Sequence, residues 1–196
     1  MIRTRQEKTS AADCPDSTPR PGGAGDRIVK YLSLLRHGKA ERPEGYAGDR
    51  ARPLTSRGQK DAGLVADLLA RADPVPDWVI SSPAQRTQET AERVAAALGL
   101  KHAIIWEERV YDAAAETLLQ ILSEVPPEIE HAVLVGHNPG LQELVSGLCA
   151  GAPDRLNVSM ATGALAYLEL EIFWWNQIRW GCGALQLLVK PKLLRE

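Results

Sequence analysis

Leu32-Ser33-Leu34-Leu35-Arg36-His37-Gly38-Lys39-Ala40 is the stretch whose reading decides the fold. It begins as a short apolar run, as a strand buried inside a sheet does. It ends in a guanidinium, an imidazole and a glycine, and charged groups rarely stay in a core unpaired. The polar triplet is expected where the strand leaves the sheet, with Gly38 permitting a turn that Cβ-bearing residues resist. Two groups able to meet an anion would then share one sheet edge. Alone, an Arg-His-Gly tripeptide is a weak signal, because an ordinary strand exit reads the same way.

The rest of the chain repeats the pattern. Ile28 to Leu35 is followed by a polar, glycine-bearing loop from Lys39 to Pro53. Thr55 or Ser56 then caps a helix carrying Leu64, Val65, Leu68 and Leu69 at helical spacing. Asp73-Pro74-Val75-Pro76 stops it. Asp77 to Ile80 is a short strand, and Pro83 is expected to start a helix that runs to about Leu98 and closes at Gly99. His102 to Trp106 reads as a strand, and Glu107 to Ala114 as a polar bend. A helix bearing Leu118, Ile121, Leu122 and Val125 follows, ended by Pro126-Pro127. Ala132-Val133-Leu134-Val135-Gly136 is a continuous apolar run that breaks into His137-Asn138-Pro139-Gly140, before a helix with Leu141, Leu144, Val145 and Leu148 on one face. Gly163 to Ile172 and Ala184 to Val189 read as an antiparallel hairpin. Strands alternating with helices specify an α/β fold: a three-layer α/β/α sandwich with a mostly parallel sheet and an antiparallel C-terminal hairpin.

Composition narrows the function classes. A chain of 196 residues, 44% hydrophobic and 24% charged, suits one well-cored domain. Residues 1–26, mixed in charge and ending in Pro-Gly-Gly-Ala-Gly, hold little to bury and are expected to form a disordered tail; 27–196 are read as a single domain. A net charge of −2 gives no case for nucleic acid, and no basic run or long apolar segment points to a membrane. Cys14, Cys149 and Cys182 are odd in number and lack metal-ligand spacing, so a reducing cytoplasm is the expected compartment. Cys149 falls on an apolar helix face and reads as a small core residue.

Three polar groups share one structural address. His37 follows the first strand, Arg86 lies a helical turn beyond the second, and His137 follows the Val133 strand. If those strands are parallel, all three lie at the carboxyl edge, where open α/β sheets bind ligands. Two histidines with Arg36 and Arg86 specify an anion, and arginine's planar fork suits phosphate. A metal is disfavoured there, because two guanidiniums repel a cation and no carboxylate accompanies either histidine motif.

Leu34-Leu35-Arg36-His37-Gly38, Ser81-Ser82-Pro83-Ala84-Gln85-Arg86-Thr87-Gln88-Glu89-Thr90 and Val135-Gly136-His137-Asn138-Pro139 resemble the histidine phosphatase (phosphoglycerate-mutase-like) superfamily. Arg52-Pro53-Leu54-Thr55-Ser56-Arg57-Gly58 and the short length resemble its compact SixA-like phosphohistidine phosphatases. The resemblance implies a phosphatase in which His37 is the nucleophile, carrying a transient phosphohistidine, while Arg36, Arg86 and His137 hold the phosphoryl oxygens. It implies no cofactor and no metal. Lys39-Ala40-Glu41 departs from the mutases, and Asn138 stands where an acid-phosphatase branch has aspartate. Glu108 is the candidate general acid and Glu107 its rival, although both also read as solvated surface carboxylates. The expected partner is a phosphorylated protein, such as a histidine-phosphorelay domain. A small phosphorylated substrate and a non-catalytic phosphoprotein-binding module remain open. Trp174, Trp175 and Trp180 are read as cross-strand packing in the hairpin or a docking surface, and His102 and His131 as bystanders.

Overall fold

The computed structural model describes residues 29–100 and 104–195. The tail with Cys14, and His102, lie outside the described residues. In chain order the elements are β1 (Lys30–Arg36), α1 (Ser56–Leu69), β2 (Trp78–Ser81), α2 (Gln85–Ala97), β3 (Ile104–Trp106), α3 (Ala115–Ser123), β4 (His131–Gly136), α4 (Gly140–Ala150), β5 (Leu165–Leu170) and β6 (Gly183–Val189). The strands form one sheet in the order β3-β2-β4-β1-β5-β6. β1 to β4 run parallel, and β5 pairs antiparallel with both β1 and β6. The mixed α/β sheet and its antiparallel C-terminal hairpin are as the alternation of patterns predicts.

Alternation along the strands assigns the layers. Leu32 and Leu34 of β1, with Ala132 and Leu134 of β4, face a cluster built with α3 and α4. Leu35, Val133 and Val135 face the other way, onto Val65, Ala66 and Leu69 of α1 and Ala91 and Val94 of α2. All six residues of β4 are buried, which is why its apolar run shows no period. Truncating wholly buried Leu134 to alanine would cost about 2–5 kcal/mol.

Local chemistry fixes the boundaries, and in four places it differs from the sequence expectation. Thr55 caps α1, its side chain accepting the Gly58 N–H, as expected. Gly99, at φ 74°, closes α2. Pro83 does not begin α2, however: Ala84 is the capping residue and Gln85 the first helical one. α3 stops at Ser123, short of Val125. Gly38 does not adopt the left-handed backbone its turn was expected to need. A Cβ there would instead lie 2.7 Å from the Gly58 carbonyl oxygen, and one on Gly58 would lie 2.2 Å from that of Lys39. The two glycines exist for close backbone approach between the strand exit and the start of α1. The hairpin tryptophans separate in fate: Trp175 is fully buried, its indole N–H donating to the Ile129 carbonyl (2.8 Å). Trp180 packs on Gly147, and Trp174 is exposed. Among the described residues no ring pair joins them. No helix among the described residues is long and apolar enough to cross a membrane.

Candidate active site

β2, β4 and β1 are neighbours running in one direction, so their carboxyl ends open side by side. The parallel register sets Arg36 opposite Gly136 and Ser81 opposite Val135. The next residue on each strand is therefore His37, His137 or Ser82. The His37 N–H donates to the Gly136 carbonyl (3.2 Å) and the Ser82 N–H to that of Val135 (3.1 Å), extending the ladder one step beyond the sheet. The two imidazoles stand 5.2 Å apart between centroids. Arg36, His37, Arg86 and His137 line one cleft of about 310 Å³. All four were expected from the sequence, and the fold brings all four together.

His37 Nδ1 donates to the Gly38 carbonyl at 2.7 Å, which leaves Nε2 as the bare nitrogen. Burial lowers its pKa to about 4, helped by the charges of Arg86, Arg36 and Arg52 and opposed by the Gly38 hydrogen bond, so the ring is neutral at pH 7. The Gly38 peptide is held in turn: its N–H donates to Thr90 Oγ1 (3.1 Å), and that hydroxyl donates to the Arg86 carbonyl (2.7 Å). Thr90 thus ties the His37 loop to the helix that carries Arg86.

Arg36 donates from Nη1 to the Met160 carbonyl (2.8 Å), and burial lowers its pKa. Arg86 donates from Nη1 to the Asp49 carbonyl (2.7 Å) and from Nη2 to the Asp49 carboxylate (2.8 Å). Its Nη2 also lies 3.4 Å from His137 Nδ1, which makes that nitrogen the acceptor; the other, Nε2, is 2.9 Å from the Ser82 hydroxyl. Burial first, then the charges of His37 and Arg86, lower the His137 pKa to about 3. Arg36 Nε, Arg86 Nε and Asn138 Oδ1 are buried without a protein partner among the described residues. The two guanidinium Nε–H groups are donors, and buried donors of this kind favour an anion strongly, whereas the Asn138 oxygen is an acceptor.

Three residues of the cleft escaped the sequence reading: Asp49, Tyr111 and Asp112. Burial raises the Asp49 pKa, but hydrogen bonds from Tyr111 and Arg52, with the charge of Arg86, hold the carboxyl at about 2. Tyr111 meets the His137 ring edge-on at 5.4 Å, and the Arg50 guanidinium lies 4.2 Å from its centroid. The Arg52-Pro53-Leu54 motif downstream of Asp49 was the available signal. Glu108 is not among the cleft residues. Its carboxylate pairs with Arg50 at 2.9 Å, and its side chain is 69% exposed. Glu107 caps a short helical turn by accepting the Arg109 N–H. The bend carrying both turns Tyr111 and Asp112 into the cleft instead. His131, at the opposite sheet edge, bonds Ser33 and the Pro74 carbonyl within the fold.

The family model of the histidine phosphatase superfamily (branch 1) matches residues 32–131. The chain belongs to that superfamily. An uncharacterised protein of Mycobacterium tuberculosis is 31% identical over 157 residues, 77% of this chain and 96% of its own length. A solved SixA of Nakamurella multipartitia, described as a candidate phosphohistidine phosphatase, superposes with a TM-score of 0.71 at 27% identity, over 86% of this chain and 98% of its own. The protein histidine phosphatase SixA complexed with tungstate gives a TM-score of 0.71 at 24% identity, over 84% of this chain and 99% of its own, and shows the same fold. Among histidine phosphatases this chain is SixA-like.

Proposed function

We propose that this protein is a metal-independent phosphatase working through His37, with phosphohistidine in proteins as its substrate. The observation that carries the reading is the 2.7 Å hydrogen bond from His37 Nδ1 to the Gly38 carbonyl on a ring that burial keeps neutral. It fixes one tautomer and leaves the Nε2 lone pair as the nucleophile. In the first step that pair forms a bond to phosphorus. The bond from phosphorus to the leaving nitrogen breaks, and its electron pair departs with that nitrogen, which takes a proton. In the second step water adds to phosphorus, the bond to Nε2 breaks with its pair returning to the ring, and inorganic phosphate leaves. Arg36, Arg86 and His137 hold the phosphoryl oxygens throughout. The incoming anion favours protonation of His137, whose depressed pKa reflects burial among positive neighbours. Losing one such donor costs about 3–4 kcal/mol of barrier.

The proton argues for the substrate. Asp49, held at about 2, is an anion at neutral pH, and Glu108 faces solvent. The free nitrogen of a phosphoimidazole can take a proton from solvent before the P–N bond breaks, so the group leaves as neutral imidazole, whereas an alkoxide is too basic to leave without a placed acid. The test is hydrolysis of a phosphoramidate and an aryl phosphate, with chelator present, by wild type and His37→Ala. Turnover that vanishes in the variant and favours the phosphoramidate supports the reading. Unchanged turnover in the variant removes His37 from the mechanism, and tight binding without turnover in wild type would favour a binding module.

A further inference from the structure

A second cleft, of about 470 Å³, opens beside the catalytic one and is lined by Lys39, Arg57, Asp61, Lys190, Lys192 and Arg195. Five cations face one carboxylate in a chain whose net charge is −2. Asp61 is itself committed, to Arg195 (3.1 Å from Nε to Oδ1) and Arg57 (3.8 Å). Within the described residues no ion pair or hydrogen bond engages the amines of Lys39, Lys190 and Lys192, all exposed. Three exposed lysines are flexible point charges, not the fixed fork that grips a phosphate. They suit carboxylates arriving on a larger body, where they add attraction and speed of encounter.

The two clefts share a wall. Lys39 is two residues beyond His37, at most about 7 Å of extended chain. Its carbonyl accepts from both the backbone N–H and the hydroxyl of Thr55, so this stretch is pinned to the start of α1. On the other side, the Gly163 N–H donates to the carbonyls of Arg36 (3.1 Å) and His37 (2.8 Å). That places the Ala161–Thr162 lining of the basic cleft directly behind the nucleophile.

We propose that this basic cleft is a docking subsite for acidic side chains flanking the phosphorylated residue of a protein substrate. The inference rests on the phosphatase reading above. It commits to carboxylates within two or three residues of the phosphohistidine. Segment 1–28 of this chain is a poor rival occupant, since Arg3, Arg5, Lys8, Arg20 and Arg27 outnumber its acids.

The test uses two peptides, one with phosphohistidine flanked on both sides by glutamates and one with glutamines in their place. Hydrolysis-resistant versions carry a phosphoryl-triazole instead. At low salt the wild type is expected to bind and hydrolyse the glutamate peptide about tenfold better, chiefly through KM, as a few exposed charge pairs allow. The preference disappears at 0.5 M salt and in Lys190→Glu/Lys192→Glu, which hydrolyses an aryl phosphate as wild type does. Equal binding of the two triazole peptides by wild type overturns the proposal, and so does a preference that survives the double substitution. If the glutamate preference in binding stands but no phosphorylated probe turns over, the docking subsite holds and the phosphatase reading falls.

Discussion

Replacing Thr90 with valine probes how His37, the proposed nucleophile, is held without touching any group proposed to meet the substrate. Valine matches threonine in shape and retains the β-branch that the helix position accommodates. The hydroxyl that disappears accepts the Gly38 N–H at 3.1 Å and donates to the Arg86 carbonyl at 2.7 Å, and Thr90 is fully buried. Leaving one buried backbone donor unmet costs about 1–3 kcal/mol. The Arg86 carbonyl loses an extra partner, a smaller effect. The catalytic consequence comes through the next atoms along, because the Gly38 carbonyl that fixes the His37 tautomer belongs to the loop this hydroxyl anchors. Misplacement of a reacting group by an ångström can cost about a hundredfold in rate, so kcat should fall by about tenfold to a hundredfold. Urea unfolding and steady-state turnover of a phosphoramidate, measured together, separate the two effects. Thr90→Ser restores the hydroxyl and should recover most of both. A Thr90→Val protein that loses stability but keeps its full kcat refutes the coupling between Thr90 and His37.

Gly58→Ala places a methyl 2.2 Å from the Lys39 carbonyl oxygen, which backbone must move to relieve; we expect at least about 1–3 kcal/mol of destabilisation by thermal or urea unfolding. Glu108→Gln should leave kcat within about twofold, as for an exposed surface substitution, whereas a loss of a hundredfold would return Glu108 to the mechanism. His37 and His137 titrate near 4 and 3 in the fold against about 6.5 in an unfolded chain. Between about pH 4 and 6.5 the unfolded chain takes up protons that the fold refuses. Stability is therefore fully present above about pH 6.5 and falls, by a few kcal/mol, as pH drops toward 4. Urea midpoints across that range check the slope, which should flatten in a His37→Ala/His137→Ala double variant.

The parts of the site that were legible in the sequence are those where a buried strand ends in a residue that cannot stay buried. Arg36, His37 and His137 announce themselves this way, and parallel register then sets the two histidines side by side. Arg86 was legible because its helix begins directly behind β2. Asp49, Tyr111 and Asp112 were not, because they reach the cleft from loops whose path has no period, and a loop carboxylate reads as solvated until its partners are known. Glu108 is the converse case: an acid in a suitable bend whose exposed pairing with Arg50 keeps it off the cleft lining. Gly38 was rightly singled out for the wrong cause, since close approach to Gly58 depends on a tertiary contact that one-dimensional reading cannot see. The three hairpin tryptophans share a composition signal and differ only in what packs on them.

The central claim is a covalent bond to His37 Nε2, and trapping it is the most direct measurement. Wild type mixed with a phosphoramidate and quenched in alkali, where phosphohistidine survives, should show by mass spectrometry one added phosphoryl group on the peptide containing His37. It should be lost on acid treatment and absent from His37→Ala. A phosphoryl group on His137, or full turnover with no phosphoenzyme at any quench time, would contradict the account.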